Sequence, residues 1–597
     1  MAATDMEVDR DLRAERSALE QAVAGRTICE ALARMAAQRP DAEALTWMAD
    51  GGGRQALTWR QVHEQVDACA LGLRTLGVAP DTCALILTRN RPEHFLANHA
   101  LLQVRGIPVG LYPELAPAQV AQIATHCAAR VAVVEAAFLP LLDAIRADLP
   151  ALEWVVVIGA GDGQPRTGVI GWEELLRRGR EFVQRTSGAG AELSARPEDP
   201  AALIYTSGTS GSPKGVLLTH RAALQEVEMW QRTWMAVEAG DRLISYAAPA
   251  HVSAYVLALW LPPVCGTVTH LCPDRAALLP ALRAVRPTRF FGPPGVWETL
   301  RATLETPPDS VPSVAEALWV GQTVVAYGRR GAAAPREQAQ AYRALAPRRA
   351  ALLGALGLEH CQGALVAGAP CPPELIVFFH ALGLPLGQGW GMTETGGLAF
   401  ATGPDPRWIG TVGLPMLGVE ARLSPDGELL VRGGSLMAGY YLDPARTAEA
   451  LDGAGWLHTG DLADVGIGGR YRIVGRKTDL IILASGKNVA PSPIEEMLTA
   501  HPLIGQACVV GEGQERLTAL LVLAAPAERA ADPAVLAAIR QHVAAVNARL
   551  SGAEQITGFT ILTTAWSVAE GELTPMLKLK RAVIARKYAA AIAAMYA

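Results

Sequence analysis

The stretch "YTSGTSGSPKGVLLTH", Tyr205 to His220, gathers hydroxyl-bearing residues and glycines around one lysine. It overlaps the end of the apolar run "AALIYTS" from Ala201, and the helical pattern "RAALQEVEMWQRTW" comes after it. Backbone N–H groups of a glycine-rich turn can surround an anion, and the positive end of a following helix adds to the attraction. We therefore predict a phosphate-binding loop between a strand and a helix.

This loop differs from that of the P-loop nucleoside triphosphatases. Their pattern is G-x-x-x-x-G-K followed by Ser or Thr. Here Pro213 stands five residues after Gly208, and Lys214 is followed by Gly215. The sequence therefore argues against a P-loop enzyme.

Short apolar strands alternate with helical patterns in the first part of the chain. Strand-like runs include "CALILT" from Cys83 and "VAVVEA" from Val131, and "PEHFLANHALLQVRG" from Pro92 is a helical segment. Continuous apolar strands separated by helices predict parallel sheets covered on both faces. The expected fold class is α/β, with a large N-terminal region of parallel-rich sheets flanked by helices.

The later segments differ in character. Residues 305–349 have helical spacing and predict a helical insertion. From about residue 403 to residue 475, short strands joined by Asp-Gly turns predict a small β-rich subdomain. The helical patterns "SPIEEMLTAH" and "DPAVLAAIRQHVAAVNARL" then predict a small α+β C-terminal domain. We expect an N-terminal region over 1–475 and a C-terminal domain over 476–597.

Composition excludes some partners. The 597 residues carry a formal net charge of −5, which argues against nucleic acid as the main partner. The nine cysteines form no C-x-x-C pair, a pattern that fits reduced thiols better than disulfides or zinc. The N-terminal segment is charged and lacks an apolar core, so we expect no secretory signal and a cytoplasmic location.

One segment resembles a membrane span in composition. No Asp, Glu, Lys or Arg lies between Arg242 and Asp274. A spanning helix needs about 20 predominantly apolar residues, whereas Pro249, Pro262 and Pro263 interrupt this run. We predict a buried helix and strand here. Peripheral membrane contact and the oligomeric state are left open.

The string "YTSGTSGSPKGV" closely resembles the phosphate loop of the adenylate-forming superfamily, which includes acyl-CoA synthetases, luciferases and peptide-synthetase adenylation domains. Further motifs similar to that family follow in the family's order: "GQGWGMTETGG" from Gly387, "GWLHTGDLADV" from Gly455, "YRIVGRKTDLIILASGKNVAPSPIEEML" from Tyr471 and "GELTPMLKLKRAVIARKY" from Gly571. Among acyl-CoA synthetases, the long-chain fatty acyl-CoA synthetases are most similar to the motifs from Tyr471 and Gly571 and to "PTRFFGPPGVWETL" from Pro287.

The resemblance implies a reaction and its small-molecule partners. It implies ATP-dependent activation of a long- or medium-chain fatty acid to an acyl-adenylate. Transfer to CoA would then give acyl-CoA, AMP and pyrophosphate. The implied partners are the carboxylic acid, ATP and CoA, with Mg²⁺ as cofactor.

The resemblance also implies which residues bind the nucleotide. The implied phosphate contacts are Thr206, Ser207, Gly208, Thr209, Ser210, Gly211 and Lys214. The implied adenine segments are Gly368, Ala369 and Pro370, and Gln388, Gly389, Trp390 and Gly391. Asp461 and Arg476 would hold the ribose. Two residues depart from the family pattern, because Ser210 replaces the usual Thr and Trp390 replaces the usual Tyr.

The resemblance implies only a few catalytic residues. Lys578 would bridge the carboxylate and the α-phosphate oxygens, with Lys580 as the competing candidate. Thr393 would contact the α-phosphate, and Glu394 would ligate Mg²⁺, with Thr206 as a second ligand. His251 borders the acyl pocket in the family, although a hydrogen-bonded core histidine is an equal expectation.

The C-terminal domain is expected to be mobile. The resemblance places its hinge at Lys477 and Thr478, so that CoA can reach the site after the lysine leaves. Ser485, Gly486, Lys487 and Asn488 would form the loop on the CoA side.

Three alternatives follow from the sequence. The segment "SYAAPAHVSAY" from Ser245 departs from the subgroup at the acyl pocket, which leaves an aromatic or other acid, or a carrier-protein acceptor, open. The second alternative is a protein that binds nucleotide but has lost catalytic turnover. Trp230 and Trp234, four residues apart on the predicted helix, would pack in the core or gate a fatty-acid tunnel.

Overall fold

A computed structural model describes residues 10–49, 52–159, 166–185, 194–206, 214–305, 314–524, 532–567, 570–574 and 578–596. Its helices are α1 (Leu12–Val23), α2 (Ile28–Gln38), α3 (Trp59–Thr75), α4 (Pro92–Gln103), α5 (Pro117–His126), α6 (Leu139–Ala144), α7 (Trp172–Arg185), α8 (His220–Trp230), α9 (Val252–Ala254), α10 (Leu261–Cys265), α11 (Leu278–Val285), α12 (Pro294–Glu305), α13 (Ala315–Arg329), α14 (Arg336–Ala344), α15 (Ala346–Leu356), α16 (Pro373–Ala381), α17 (Pro444–Ala450), α18 (Pro491–Thr499), α19 (Pro533–Asn547), α20 (Arg581–Lys587) and α21 (Ala589–Tyr596).

The strands are β1 (Glu43–Met48), β2 (Arg54–Thr58), β3 (Cys83–Leu87), β4 (Ile107–Gly110), β5 (Val131–Glu135), β6 (Trp154–Ile158), β7 (Val169–Gly171), β8 (Pro200–Thr206), β9 (Lys214–Thr219), β10 (Arg242–Ser245), β11 (Val268–Leu271), β12 (Arg289–Gly292), β13 (Gly363–Val366), β14 (Leu386–Met392), β15 (Gly397–Ala401), β16 (Leu414–Pro415), β17 (Glu420–Leu423), β18 (Glu428–Arg432), β19 (Gly439–Tyr440), β20 (Leu457–Val465), β21 (Tyr471–Arg476), β22 (Ile481–Ile482), β23 (Asn488–Val489), β24 (Ile504–Val510), β25 (Leu517–Leu523) and β26 (Ile556–Leu562).

The predicted parallel sheet is present. Its strand order is β4-β3-β5-β6-β7, and each neighbouring pair is parallel. Alternate side chains of β3 enter two different cores, with Ala84 and Ile86 on one face and Leu85 and Leu87 on the other. Because both faces are covered, the strand is apolar throughout. The α/β fold class is confirmed.

A second sheet carries the central motif. Its order is β12-β13-β14-β15-β16, in which β12, β13 and β14 are parallel and the last two strands are antiparallel additions. Strand β14 ends at Met392, so Thr393 and Glu394 follow its carboxyl end. Ligands of α/β sheets bind at that end of the strands.

The uncharged run from Arg242 to Asp274 is buried, as predicted. It forms β10, α9, a π-helix over Tyr255–Trp260, α10 and β11, and β10 and β11 belong to the sheet β10-β11-β1-β2. Within the part of the chain that the structure describes, no helix is both long and apolar enough to cross a bilayer. Peripheral membrane contact stays an open question.

The surroundings of the phosphate loop correct one expectation. The residues after the loop do not enter a helix directly, since Lys214–Thr219 forms β9, antiparallel to β8. Val216 and Leu218 are buried by this pairing, and helix α8 begins only at His220, with Thr219 as its N-cap. The helix dipole therefore does not sit at the loop. Five predicted phosphate contacts, Ser207, Gly208, Thr209, Ser210 and Gly211, lie outside the described residues.

The β-rich segment and the insertion have the predicted secondary structure. Strands β17, β18, β20 and β21 form an antiparallel sheet, and an Asp426-Gly427 turn joins the first two. Gly427 has a φ of +83°, a conformation that glycine adopts without strain. Helices α13, α14 and α15 occupy the region of the insertion. The domain limits themselves stay predictions.

The C-terminal segment has its own cores. Strands β24, β25 and β26 form a sheet, against which Leu498 of α18 and Ile539 of α19 pack. A second small core includes Trp566 and Ile584. Both clusters draw only on residues after Arg476, and the mobility of this segment stays a prediction.

Candidate active site

A large cleft brings most of the predicted site residues together. It has a volume of about 3330 Å³ and separates the N-terminal sheets from the C-terminal segment. The predicted residues that line it are Thr206, Lys214, His251, Gly368, Ala369, Pro370, Gln388, Gly389, Trp390, Gly391, Thr393, Glu394, Asp461, Arg476, Thr478, Asn488 and Lys578.

The two ends of the phosphate loop stand side by side. Thr206, the last residue of β8, is the cross-strand partner of Lys214, the first residue of β9. Both side chains line the cleft. The hairpin therefore presents a hydroxyl and an ammonium group at the base of the loop, a pair that suits phosphate oxygens.

Tyr440 connects this hairpin to Glu394. Its hydroxyl donates a 2.8 Å hydrogen bond to Glu394 Oε1, and Lys214 Nζ lies 5.3 Å from the centre of its ring. Strand β19 holds Tyr440 there by pairing with β9. The sequence analysis missed Tyr440, because only the pairing of β19 with a strand more than 200 residues away brings it to the site.

Asp461 is a buried carboxylate with one satisfied oxygen. The Trp390 indole N–H donates to Oδ2 at 2.8 Å. Arg476 Nε lies 2.8 Å from Oδ1, close enough for an ion pair, but its N–H is not aligned with that oxygen. Among the described residues, Oδ1 therefore has an ionic partner and no hydrogen-bond donor.

Gln388 offers a second unsatisfied acceptor in the same cleft, since no residue that the structure describes donates to its buried Oε1. Buried acceptors without donors are rare in folded proteins. The amino group of an adenine and the hydroxyls of a ribose are donors that match Gln388 and Asp461. The residues present therefore fit an adenine nucleotide.

His251 is held as a neutral imidazole. Its Nδ1 accepts from the Ser253 backbone N–H at 3.2 Å and lies 2.7 Å from the Ser253 hydroxyl. An accepting Nδ1 leaves the ring proton on Nε2. Burial, and to a lesser degree the charge of Lys578, lowers the pKa of His251 to about 4. At neutral pH it is an uncharged donor in the cleft.

Lys578 is exposed to the cleft and surrounded by charged groups. Desolvation by the cleft walls lowers the pKa of Lys578, and the nearby charge of Arg476 acts in the same direction. The carboxylates of Asp461 and Glu394 oppose that shift. Lys578 is therefore within electrostatic range of both ends of the nucleotide site. The competing Lys580 also lines the cleft.

Arg581 anchors the segment that carries Lys578. Its guanidinium makes two contacts with Glu495 of α18, at 2.5 and 2.6 Å. A two-pronged arginine–carboxylate pair fixes orientation as well as position. The three-residue spacing from Lys578 to Arg581 thus connects the lysine to helix α18 of the C-terminal segment.

The predicted hinge makes contact with the β-rich sheet. Lys477 Nζ lies 2.6 Å from Asp426 Oδ2 and 3.2 Å from Glu428 Oε2. The hydrogen bond with Asp426, followed by that with Glu428, raises the pKa of Lys477. Thr478 is exposed and lines the cleft, whereas Lys477 does not.

The predicted CoA-side loop lies mostly outside the cleft. It connects β22 to β23, and its turn includes Gly486 with a φ of +78°. Lys487 Nζ lies 3.3 Å from the Ser551 hydroxyl. Of the four predicted residues, Asn488 lines the cleft, and Ser485, Gly486 and Lys487 do not.

The two tryptophans do not share a helix. Helix α8 ends at Trp230, whose indole N–H donates to Glu226 Oε1 at 3.0 Å. Trp234 lies beyond the helix and donates to the Thr402 carbonyl at 2.8 Å. Both indoles are therefore held in place by hydrogen bonds.

Comparison with known proteins identifies a family. A family model described as AMP-binding enzyme matches residues 32–441, and another, AMP-binding enzyme C-terminal domain, matches residues 478–597. The long-chain-fatty-acid–CoA ligase FadD15 of Mycobacterium bovis is 34% identical over 90% of this chain and 92% of its own length. The long-chain-fatty-acid–CoA ligase ACSBG2 of Gallus gallus is 30% identical over 91% of this chain and 77% of its own length.

A solved structure has the same fold. The anthranilate CoA ligase AuaEII, in complex with anthranoyl-AMP, superposes with a TM-score of 0.75 and 21% sequence identity. The match covers 96% of this chain and 99% of that one.

Proposed function

This chain belongs to the AMP-binding enzyme family, and on that premise we propose that it is an acid–thiol ligase that activates long- or medium-chain fatty acids. ATP and the acid give an acyl-adenylate and pyrophosphate, and CoA then gives acyl-CoA and AMP. The observation that carries this proposal is the meeting of Lys214, Glu394, Asp461 and Lys578 in one cleft. The two long-chain ligases that resemble it over nine tenths of its length support the choice of acid.

The first half-reaction needs charge neutralisation and alignment. A carboxylate oxygen attacks the α-phosphorus of ATP, and the bond to the bridging oxygen breaks as pyrophosphate leaves. Lys578 would neutralise charge on the carboxylate and the α-phosphate, while Thr393 donates to that phosphate. Lys214 would hold the departing phosphates. Asp461 and Arg476 would fix the ribose.

Mg²⁺ fits the oxygen ligands at the phosphate end. Glu394 uses Oε1 for Tyr440, and among the described residues its Oε2 takes no hydrogen bond from the protein. Glu394 and the Thr206 hydroxyl would hold the ion, a hard cation that prefers oxygen. When bound, the ion neutralises charge on the phosphate oxygens.

The second half-reaction needs a different arrangement. The sulfur of CoA attacks the acyl carbonyl, the bond to the adenylate oxygen breaks, and AMP leaves. Lys578 lines the same cleft, where it would obstruct the approach of a thiol. Rotation about Lys477 and Thr478 would remove it and bring Asn488 with its loop toward the site. The two cores of the C-terminal segment support rotation as one body.

The test is pyrophosphate release with acids from acetate to palmitate and with benzoate, each with and without CoA. We expect release that peaks with the longer chains and gives acyl-CoA. Lys578→Ala should lower release about 100-fold or more, in line with the loss of a preorganised charge. The same variant should still convert supplied acyl-adenylate and CoA to acyl-CoA. Lys580→Ala is the matched control and should remain near wild type.

Each other outcome rejects a defined part of the proposal. Pyrophosphate release with benzoate alone would support the adenylation reaction but show that the substrate is an aromatic acid and not a fatty acid. Transfer to a carrier-protein thiol but not to CoA would replace the acceptor. No release with any acid, combined with tight ATP binding, would indicate a silent nucleotide-binding protein.

A further inference from the structure

Glu226 is a buried carboxyl group directly behind the active-site turn. It lies in α8 with no exposed surface. Its Oε1 accepts from the Leu398 backbone N–H at 2.8 Å and from the Trp230 indole at 3.0 Å. Its Oε2 lies 2.8 Å from the Ser435 hydroxyl. A Cβ at Gly397 would come within 2.4 Å of Oε1, so the group is also tightly enclosed.

Counting protons assigns the state of this carboxyl group. The Ser435 hydroxyl also lies 2.7 Å from the Thr395 carbonyl oxygen, which can only accept. The Ser435 hydroxyl has one proton. If Glu226 is ionised, that proton is donated to Oε2, and the Ser435 oxygen then faces the Thr395 carbonyl oxygen with no proton between them. If Glu226 is protonated, Oε2 donates to Ser435 and Ser435 donates to Thr395. All contacts are then satisfied.

The burial of Glu226 agrees with that assignment. Desolvation is the main effect, opposed by the hydrogen bonds from Ser435, Leu398 and Trp230, and the pKa of Glu226 is raised to about 7. No charged side chain of the described residues contributes to this shift. A neutral acid is therefore favoured below neutral pH.

The Thr395 carbonyl belongs to the turn that presents the catalytic residues. The turn spans Thr393–Thr395, and the Thr395 hydroxyl closes it through contacts with the backbone of Met392 and Gly397. The Glu394 carbonyl accepts from the Met437 backbone N–H at 2.9 Å. The segment around Ser435 thus supports the turn from behind, and Glu226 supports that segment.

We propose that Glu226 is a positioning residue that works as a neutral acid: its proton is donated to Ser435, whose own proton is donated to Thr395, and this relay fixes the turn that carries Thr393 and Glu394. This assignment rests on the proposed function, because adenylation is the reaction in which Thr393 and Glu394 of the turn would take part. Glu226 itself does not line the cleft and touches no substrate.

The other titratable groups around Glu226 are engaged elsewhere. On α8, His220 accepts from the Ile28 N–H, Arg221 pairs with Glu20 and Glu198, and Glu228 faces Arg26 and Arg232. Helix α1 reaches α8 through Glu20, which also accepts from Gln225. Strand β15 and residues 433–437 contain no titratable side chain. Glu226 is thus the group whose titration would change the relay.

The experiment compares E226Q, E226A and S435A, with E228Q as the control on the same helix. Adenylation kcat and KM for ATP are measured from pH 6 to 9 with Mg²⁺. A glutamine can accept through its oxygen and donate through its nitrogen, so E226Q should keep kcat within about threefold of wild type at pH 6.5. E226A and S435A should each lower kcat about tenfold, as expected for a lost buried hydrogen bond.

Two further readouts separate the relay from a purely structural role. Wild-type kcat should fall above about pH 7 more steeply than that of E226Q, because glutamine does not ionise. The double variant E226A/S435A should be no worse than E226A, since both changes break one chain of hydrogen bonds. The proposal would be overturned if kcat fell equally steeply above pH 7 in wild type and E226Q. It would also be overturned if the losses of kcat in the double variant were additive.

A measurement that needs no turnover keeps this test independent of the proposed reaction. A native pKa above the unfolded value means that the folded protein binds the extra proton, so its stability falls as the pH rises from 5 to 7. Relative to E226Q, the unfolding equilibrium constant of wild type should rise up to about 100-fold over that range. If wild type made no acyl-adenylate, the function would fail while this difference remained. No difference would reject the neutral acid.

Discussion

Asp461 and Arg476 face each other across β20 and β21, with Arg476 Nε 2.8 Å from Asp461 Oδ1, yet the guanidinium N–H does not point at that oxygen. The pair neutralises the buried carboxylate without using its hydrogen-bonding capacity. Oδ1 therefore remains able to accept from a ligand hydroxyl. Within the described part of the chain no donor reaches this oxygen, so it would suit a ligand that donates a hydrogen bond.

The first prediction concerns nucleotide affinity. Asp461→Asn removes the charge that Arg476 faces and weakens the acceptor for the ribose. We expect the KM for ATP to rise about 10- to 100-fold, because hydrogen bonds to charged groups contribute about 1.5–3 kcal/mol. Calorimetric titration with ATP is the direct check. The control is Asp464→Asn, three residues along β20, where an exposed carboxylate pairs with Arg472 across the same two strands. Equal effects of the two variants would contradict the assignment.

Tyr440 should control how Glu394 presents its carboxylate. Tyr440→Phe removes the 2.8 Å hydrogen bond to Oε1 while it keeps the ring next to Lys214. We expect adenylation to fall about tenfold at low Mg²⁺, a loss of about 1.4 kcal/mol, and to recover partly at high Mg²⁺. The neighbouring change Tyr441→Phe, which removes a hydroxyl 3.8 Å from Cys83 Sγ, should leave the Mg²⁺ dependence unchanged. A Mg²⁺ titration of both variants separates the two residues.

A stiffened hinge should separate the two half-reactions. Thr478 is exposed, and proline at this position fixes φ and restricts Lys477 before it. We expect Thr478→Pro to retain adenylation and to lose CoA transfer by about tenfold or more, since only the second step needs rotation. Thr478→Ala is the control for the lost hydroxyl. Pyrophosphate release and acyl-CoA formation are measured in parallel, and an equal loss of both would reject the hinge.

Buried neutral histidines should make the protein sensitive to acid. Burial lowers the pKa of His94 to about 3 and those of His99 and His220 to about 4. Above about pH 6.5 these histidines are neutral in both the folded and the unfolded chain, and the free energy of unfolding is at its full value. As the pH falls toward 4, the unfolded chain binds protons that the native chain excludes, so the free energy of unfolding decreases.

Denaturant unfolding at pH 7 and pH 5 checks this expectation. His220→Asn keeps an acceptor for the Ile28 N–H and removes one protonation site. Its free energy of unfolding should depend on pH less steeply than that of wild type, by up to about 1.4 kcal/mol per pH unit. An unchanged slope in His220→Asn would contradict the prediction.

Sequence patterns were sufficient for features that depend on neighbours in the chain. Alternation of apolar strands and helices predicted the parallel sheet around β3 and β5, and the Asp426-Gly427 turn marked the antiparallel segment. Most of the described motif residues identified by resemblance also line one cleft, from Thr206 to Lys578. Their roles remain to be tested by the variants above.

The sequence alone determined the family and the α/β class, because short motifs and the periods of helix and strand are local features of the chain. The same motifs predicted the chemistry-bearing residues. Only the tertiary structure decided that β9 intervenes between the loop and α8, that Tyr440 reaches Glu394, and that Glu226 lies behind the turn at Thr395. These contacts join residues 40 to 209 positions apart or depend on strand pairing. No local period encodes them, since the packing of whole elements fixes which side chains meet.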